Sequence, residues 1–205
     1  MSEATAHDYL WFDEHFPALA EAYCVTLVRG LTPDTLLTQM GATDLRRVTG
    51  VDDLQEPAYE AWDTHDGDRL FAGVTRVGEW ALMIEPNGYL GITDELIGPL
   101  SRGTTAVSHF RNVNAVDHFN WYENGELRLH FEPLFAYARD GSDPDGSVDT
   151  MRAAGFDLSE DDERDFNLHS EAAFALAERL TGLRLTRELL NVSEFLGGAV
   201  PLPRT

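Results

Sequence analysis

The apolar positions of the chain change period several times, and each change marks an element. Phe16, Leu19, Ala20 and Tyr23 recur at helical spacing, which predicts a short helix over Asp13–Ala22. Cys24-Val-Thr-Leu-Val-Arg29 is rich in β-branched residues and predicts a strand ended by Gly30. Thr32 then suits an N-cap, Pro33 the first helical position and Asp34 the positive helix end. Leu36, Leu37 and Met40 form the stripe of that helix, and Gly41 closes it as a left-handed cap.

The middle of the chain is richer in strands. Leu70–Val77 and Glu79–Glu85 predict two strands about Gly78, with Trp80, Leu82 and Ile84 alternating in the second. Pro86-Asn-Gly88 is a turn. Thr93 caps a short helix over Asp94–Ser101, ended by Gly103, and Thr104–Phe110 is a further strand. Val116–Phe131 predicts a hairpin about Asn124-Gly125, the preferred two-residue turn. That register sets Trp121 opposite Arg128, Phe119 opposite His130 and His118 opposite Phe131, so His118 and His130 lie on opposite faces. Trp121 over Arg128 is a cation–π pair worth about 0.5–1 kcal/mol if exposed.

Asp140–Gly146 is a loop, in which Asp143 and Asp145 suit capping of a helix over Val148–Ala154 that Gly155 stops. Ser170–Leu180 is the clearest helix of the C-terminal part, with Gly182 at its end, and Thr186–Leu190 adds a turn. The tail Val200–Thr205 reads as extended and frayed. The sum is an α+β fold in a single domain over residues 1–205. A central antiparallel sheet of about five to six strands occupies roughly 23–135, and a helical C-terminal part occupies about 146–196. The N- and C-terminal helices pack on one face of that sheet.

Composition changes this picture in three ways. Apolar residues make up 43% of the 205 positions, enough to bury a core. The single cysteine, Cys24, excludes an internal disulfide framework. The start shows no signal-peptide pattern and no stretch approaches about 18 apolar residues, so a cytoplasmic protein without a membrane span is expected.

The charge says more. The chain has no lysine: all 15 basic residues are arginine, against 36 Asp and Glu, for a formal charge of −21. Walker-A, kinase-strand, Schiff-base and Ser-Lys chemistry are therefore excluded. The charge opposes nucleic acid and favours a basic protein partner, although GC-rich coding or salt adaptation also produces such a composition. Two runs concentrate the acids: Val48–Asp68, which contains no arginine, and Asp157–Asp165, where Arg164 is alone. Asp63, Asp66 and Asp68 in the first run, with Asp161, Asp162 and Glu163 in the second, are the candidate partner-binding residues.

Catalytic signatures are missing. The seven histidines show no metal-ligand spacing, and aligning Gly146 with a calcium-loop glycine puts Gly141 and Arg152 at ligand positions. Neither a G-x-S-x-G elbow nor G-x-G-x-x-G is present. No catalytic residue, metal or cofactor is therefore assigned. Trp80, Glu85, His118 and His130 remain as candidates for a pocket on the sheet. Glu85 ends an apolar strand, where burial would raise its pKa; as a turn residue at the sheet edge it would have no such role.

Three blocks carry a resemblance: Trp11-Phe-Asp-Glu14 through Tyr23-Cys-Val-Thr-Leu-Val-Arg-Gly-Leu-Thr-Pro33, Trp80-Ala-Leu-Met-Ile-Glu-Pro-Asn-Gly-Tyr89, and Ala175-Leu-Ala-Glu-Arg-Leu-Thr-Gly-Leu-Arg-Leu-Thr186. Together they resemble an actinobacterial domain family of unknown function. The resemblance implies a single cytoplasmic domain from GC-rich bacteria and assigns no functional residue. The expectation is a non-enzymatic protein-interaction module, immunity- or antitoxin-like toward a basic partner by fold-level analogy. The alternative is an enzyme or small-ligand-binding protein with a pocket on the sheet face.

Overall fold

Pro17 decides how the chain begins. The residue before a proline is biased out of the helical region, and Phe16 sits at φ −129°, ψ 54°. The expected helix is therefore two short ones, α1 (Trp11–His15) and α2 (Pro17–Glu21), preceded by a 3₁₀ turn over Ala6–Tyr9. The computed structural model describes residues 2–161 and 163–203. Beyond α2 it runs β1 (Tyr23–Arg29), α3 (Pro33–Gln39), β2 (Thr43–Thr49), α4 (Gln55–Thr64), β3 (Arg69–Val77) and β4 (Trp80–Pro86). The second half is α5 (Asp94–Leu100), β5 (Thr105–Arg111), β6 (Asp117–Glu123), β7 (Glu126–Phe131), β8 (Arg139–Asp140), α6 (Val148–Ala154), α7 (His169–Thr181), α8 (Arg187–Val192) and β9 (Glu194–Pro201).

Among the described residues the strands form one antiparallel sheet of nine, in the order β2-β9-β3-β4-β1-β5-β6-β7-β8. The six strands expected from the pattern are present as β1 and β3–β7. The expected five to six strands fall short by the three that carry weak patterns. β2 is an edge strand exposed along nearly its whole length, so it shows no alternation, and Arg46 and Arg47 charge that edge. β8 has two residues. β9 contains Gly197-Gly198, which reads as loop; here a Cβ on Gly197 would overlap the Phe71 ring of β3, so glycine permits the close approach. The tail is accordingly not frayed through its first residues. Val200 is fully buried, and Leu202 N–H donates to Asp68 O at 2.9 Å.

Helices cover both faces, not one. Tyr23, Val25 and Leu27 of β1 face Phe12, Phe16, Leu19, Phe174 and Leu176 in the larger core. Val28, with Ala81 and Met83 of β4, packs with Leu36 and Leu37 of α3 and with Ile97 and Leu100 of α5 in a second core on the opposite face. The helix stops follow the sequence: Thr32 Oγ1 accepts from Thr35 N–H, Gly41 lies at φ +69°, and Gly182 closes α7 in the left-handed region. Three expected caps differ. Thr93 Oγ1 donates backward to Tyr89 O (2.9 Å), while Asp143 and Asp145 pair with Arg128 and Arg139 at 2.9 Å each.

The hairpin turns at Asn124-Gly125 as expected, but its register holds only as far as Tyr122 opposite Leu127. A bulge then pairs Trp121 with Leu129, Asn120 with His130 and Phe119 with Phe131, leaving Arg128 as the extra residue. Burial explains it. Without the bulge Leu127, Leu129 and Phe131 would share one face and His130 would enter the core. With it, Leu127 joins the second core, while Leu129 and Phe131 join the first. The expected cation–π contact survives the shift, with the Arg128 guanidinium 4.6 Å from the Trp121 ring centre.

Candidate functional site

The acidic run 48–68 folds into a 3₁₀ turn over Asp52–Leu54 and then α4. Its inward stripe is Leu54, Pro57, Ala58 and Ala61, three of them small. Leu54 occupies the space above Gly73, where a Cβ would stand 2.5 Å from Leu54 Cδ2. The two large aromatics of α4 are on the outside. Tyr59 is 74% exposed and Trp62 is 52% exposed. The large residues thus point away from the core, which is why apolar spacing does not announce this helix.

Two open hollows flank Tyr59. One, of about 520 Å³, is lined by Asp44, Arg46, Glu60, Asp63 and His65. The other, of about 310 Å³, is lined by Ala58, Trp62, Leu70, Pro86 and Asn87, and Phe71 contributes to both. Arg46 neutralises Glu60 at 2.7 Å, and His65 faces Asp44 at 3.6 Å. Among the described residues Asp52, Asp53, Glu56, Asp63, Asp66 and Asp68 have no cation within salt-bridge distance. Asp63, Asp66 and Asp68 are exposed together at the end of α4 and the turn after it.

The second acidic run does different work. Asp157 accepts from Ser159 N–H, Ser159 Oγ and Asp165 N–H, and these bonds hold its carboxyl down at about 2. Asp161 accepts from Glu163 N–H at 3.0 Å, and Asp165 from Asn167 N–H at 3.0 Å. Asp161 and Glu163 are exposed, and Asp162 lies outside the described residues. Arg164 lies over Phe135 and Tyr137, which follow β7. α4 packs on β3, whereas Arg164 of the second run lies by the segment after β7, five strand steps or about 24 Å away within the sheet, so the two acidic runs attach to different parts of it.

The four sheet candidates do not converge. Trp80 belongs to the first core, whereas Glu85 projects from the opposite face of the same strand. Glu85 is not at an edge: β4 lies between β3 and β1, and the side chain is fully buried. It accepts from Leu90 N–H (2.7 Å) and Gly91 N–H (2.9 Å), which pins the 3₁₀ turn Leu90–Ile92 onto the sheet. Burial pushes its carboxyl up to about 7, against those two donors. Across the sheet the row runs Glu85, Cys24, Phe110, His118, so Glu85 and His118 are three strands, about 14 Å, apart.

His118 and His130 do meet, on the same face, because of the bulge. His118 Nδ1 and His130 Nε2 are 3.2 Å apart, and Asp140 Oδ2 is 3.2 Å from His130 Nδ1. Burial, and then the neighbouring His130, hold His118 below the ordinary histidine value, while Glu132 opposes them.

One buried cluster has no counterpart in the sequence motifs. Asp117, at the start of β6, is fully buried, and among the described residues neither of its oxygens has a hydrogen-bond partner. His169 Nε2 stands 3.4 Å from Asp117 Oδ2, and His169 Nδ1 is 2.7 Å from Phe166 O. A carbonyl only accepts, so Nδ1 carries a proton, while Nε2 faces the buried Asp117 carboxyl without a hydrogen bond. Burial raises the Asp117 carboxyl well above the usual range, against the charges of His169 and Arg111. Arg111, opposite Asp117 at the end of the neighbouring strand β5, donates to Ser170 Oγ at 2.6 Å and ties that strand to the start of α7. His169 is thus held through Nδ1, with Nε2 turned toward Asp117, and its ring also lines a hollow of about 350 Å³ beside Asp157 and Asp165. These residues are 52 positions apart in sequence, and no spacing rule pairs them.

A family model described as a family of unknown function, DUF6461, matches residues 2–204. The chain belongs to this family. No curated protein and no solved structure matches it. The DUF6461 match runs through α4, the 157–165 loop and the Asp117–His169 pair alike, so it singles out none of them. Among the described residues of this DUF6461 chain no helix is long and apolar enough to cross a membrane.

Proposed function

We propose that this chain is a protein-interaction module of the actinobacterial cytoplasm, and that it docks a basic partner on the outer face of α4. One observation carries the reading: Tyr59 and Trp62 stand exposed on a helix whose surrounding acids Asp52, Asp53, Glu56, Asp63, Asp66 and Asp68 lack cation partners among the described residues. Exposed Trp and Tyr are the residue types that anchor interfaces, and hollows beside them accept apolar side chains. Unneutralised carboxylates around the anchors supply steering and select arginine- or lysine-bearing segments. An immunity- or antitoxin-like role toward a basic protein fits this chemistry. Arginine as the sole basic residue beside −21 formal charge fits a GC-rich source.

The 157–165 acids are secondary in this reading, since Asp157, Asp161 and Asp165 are committed to loop hydrogen bonds. The test is affinity capture from native lysate at low salt with four chains: wild type, Tyr59→Ala, Trp62→Ala and the Asp161→Asn/Glu163→Gln double variant. A basic protein retained by wild type and by the double variant, and lost by at least tenfold from both aromatic variants, is expected. Recovery of no basic protein by wild type, or equal capture by all four chains, refutes the α4 site.

A further inference from the structure

We propose that His118 and His130 bind one transition-metal ion of the imidazole-preferring kind, Cu²⁺ before Zn²⁺ or Ni²⁺. The site is independent of α4, which packs on β3 at the other side of the sheet. It exists because of the β7 bulge. That single extra residue turns His130 out of the first core and sets it diagonal to His118 on the opposite face.

The geometry suits a shared ligand. The two facing nitrogens, His118 Nδ1 and His130 Nε2, are 3.2 Å apart. An ion bonded to both at the usual 2.0–2.1 Å would sit about 1.3 Å off the line joining them, so each ring must turn by roughly 40° to aim its lone pair at the ion. Asp140 Oδ2, 3.2 Å from His130 Nδ1, takes that ring's N–H and leaves the Nε2 lone pair turned toward His118. This carboxylate–imidazole arrangement is the usual support of a metal-bound histidine. Without metal, His118 must then donate its Nδ1 proton to His130.

The surroundings favour a cation. Asp140 is largely exposed beside His130, and the Glu132 carboxylate acts on His118. Phe110 stacks on the other side of His118, with ring centres 5.9 Å apart, and limits its motion. Among the described residues no group of three His, Cys, Asp or Glu side chains converges to hold an ion, so water completes the coordination and stays exchangeable. Imidazole nitrogen with water suits Cu²⁺, Ni²⁺ and Zn²⁺, with Cu²⁺ bound most tightly.

The experiment uses the full untagged chain and CuCl₂. Isothermal titration should give one equivalent of binding, and the EPR spectrum should carry splitting from two nitrogens. His118→Gln and His130→Gln should each reduce affinity by tenfold or more, and Asp140→Asn by about tenfold through loss of the orienting carboxylate. Should a variant fail to fold, ¹⁵N spectra of the wild-type imidazoles report the same site: Zn²⁺ should move the His118 and His130 signals together. Equal Cu²⁺ affinity in wild type and the double glutamine variant overturns the proposal. So does a Zn²⁺ titration that leaves both imidazole signals in place.

Discussion

Glu85 makes stability depend on pH in the opposite sense to an ordinary surface carboxylate. Its folded pKa is raised from 4.5 to about 7 by burial, so the folded chain holds this proton more tightly than the unfolded one. The stability of the neutral form is fully present below the unfolded value and is lost as pH rises through the folded value. The gap between the two values corresponds to about 3 kcal/mol at full ionisation. Most of that, about 2–3 kcal/mol, is lost between pH 5 and pH 8. The perturbation is Glu85→Gln, which has the same length and does not titrate. Gln accepts from only one of the Leu90 and Gly91 N–H groups, so the variant carries a fixed penalty of about 1–3 kcal/mol at every pH. The readout is the difference in unfolding free energy between wild type and variant, from urea titrations at pH 5, 6, 7 and 8. Asp117, also raised, is present in both chains and cancels. The wild type should lose about 2–3 kcal/mol relative to the variant over this range. Parallel profiles would refute the placement of Glu85 as a buried carboxylate.

Two further predictions test the same layers. In Gly91→Ala the new Cβ would overlap Thr26 Oγ1 and lie 2.6 Å from Cys24 Sγ, so about 1–3 kcal/mol of stability should be lost. A melting curve unchanged from wild type would mean that the Leu90–Ile92 turn does not press on β1. Gly41→Val places a β-branched residue at φ +69° and should cost about 1 kcal/mol or more, read from the urea midpoint. An unmoved midpoint would remove the left-handed cap after α3.

Legibility followed how strongly a segment's side chains are sorted by burial. β1 and β4 read as apolar runs because neighbours cover both of their faces, α7 repeats at helical spacing, and their boundaries are readable to within a residue or two. α4 hides because its inward residues are small and its aromatics face solvent. β2 hides because both of its faces are exposed, and β9 because its paired glycines serve a contact with β3 and β2 that is invisible from the segment alone. Glu85 was legible as a residue of interest, yet its partners are the backbone N–H groups of a turn, which residue identity does not announce. The His118–His130 pair was lost by one residue of register, since a bulge reverses the face of every later side chain.

Local sequence by itself determined the α+β class, six of the nine strands, the caps at Thr32, Gly41 and Gly182, and the exclusion of lysine chemistry. Those features depend on neighbours along the chain: periodicity, turn stereochemistry and composition. Only the tertiary structure decided the strand order, the covering of both faces, the exposure of Tyr59 and Trp62, and the meetings of His118 with His130 and Asp117 with His169. These depend on which distant surfaces must be buried together. A bulge that serves three hydrophobic side chains of β7 places two histidines side by side, and no short-range pattern contains that requirement.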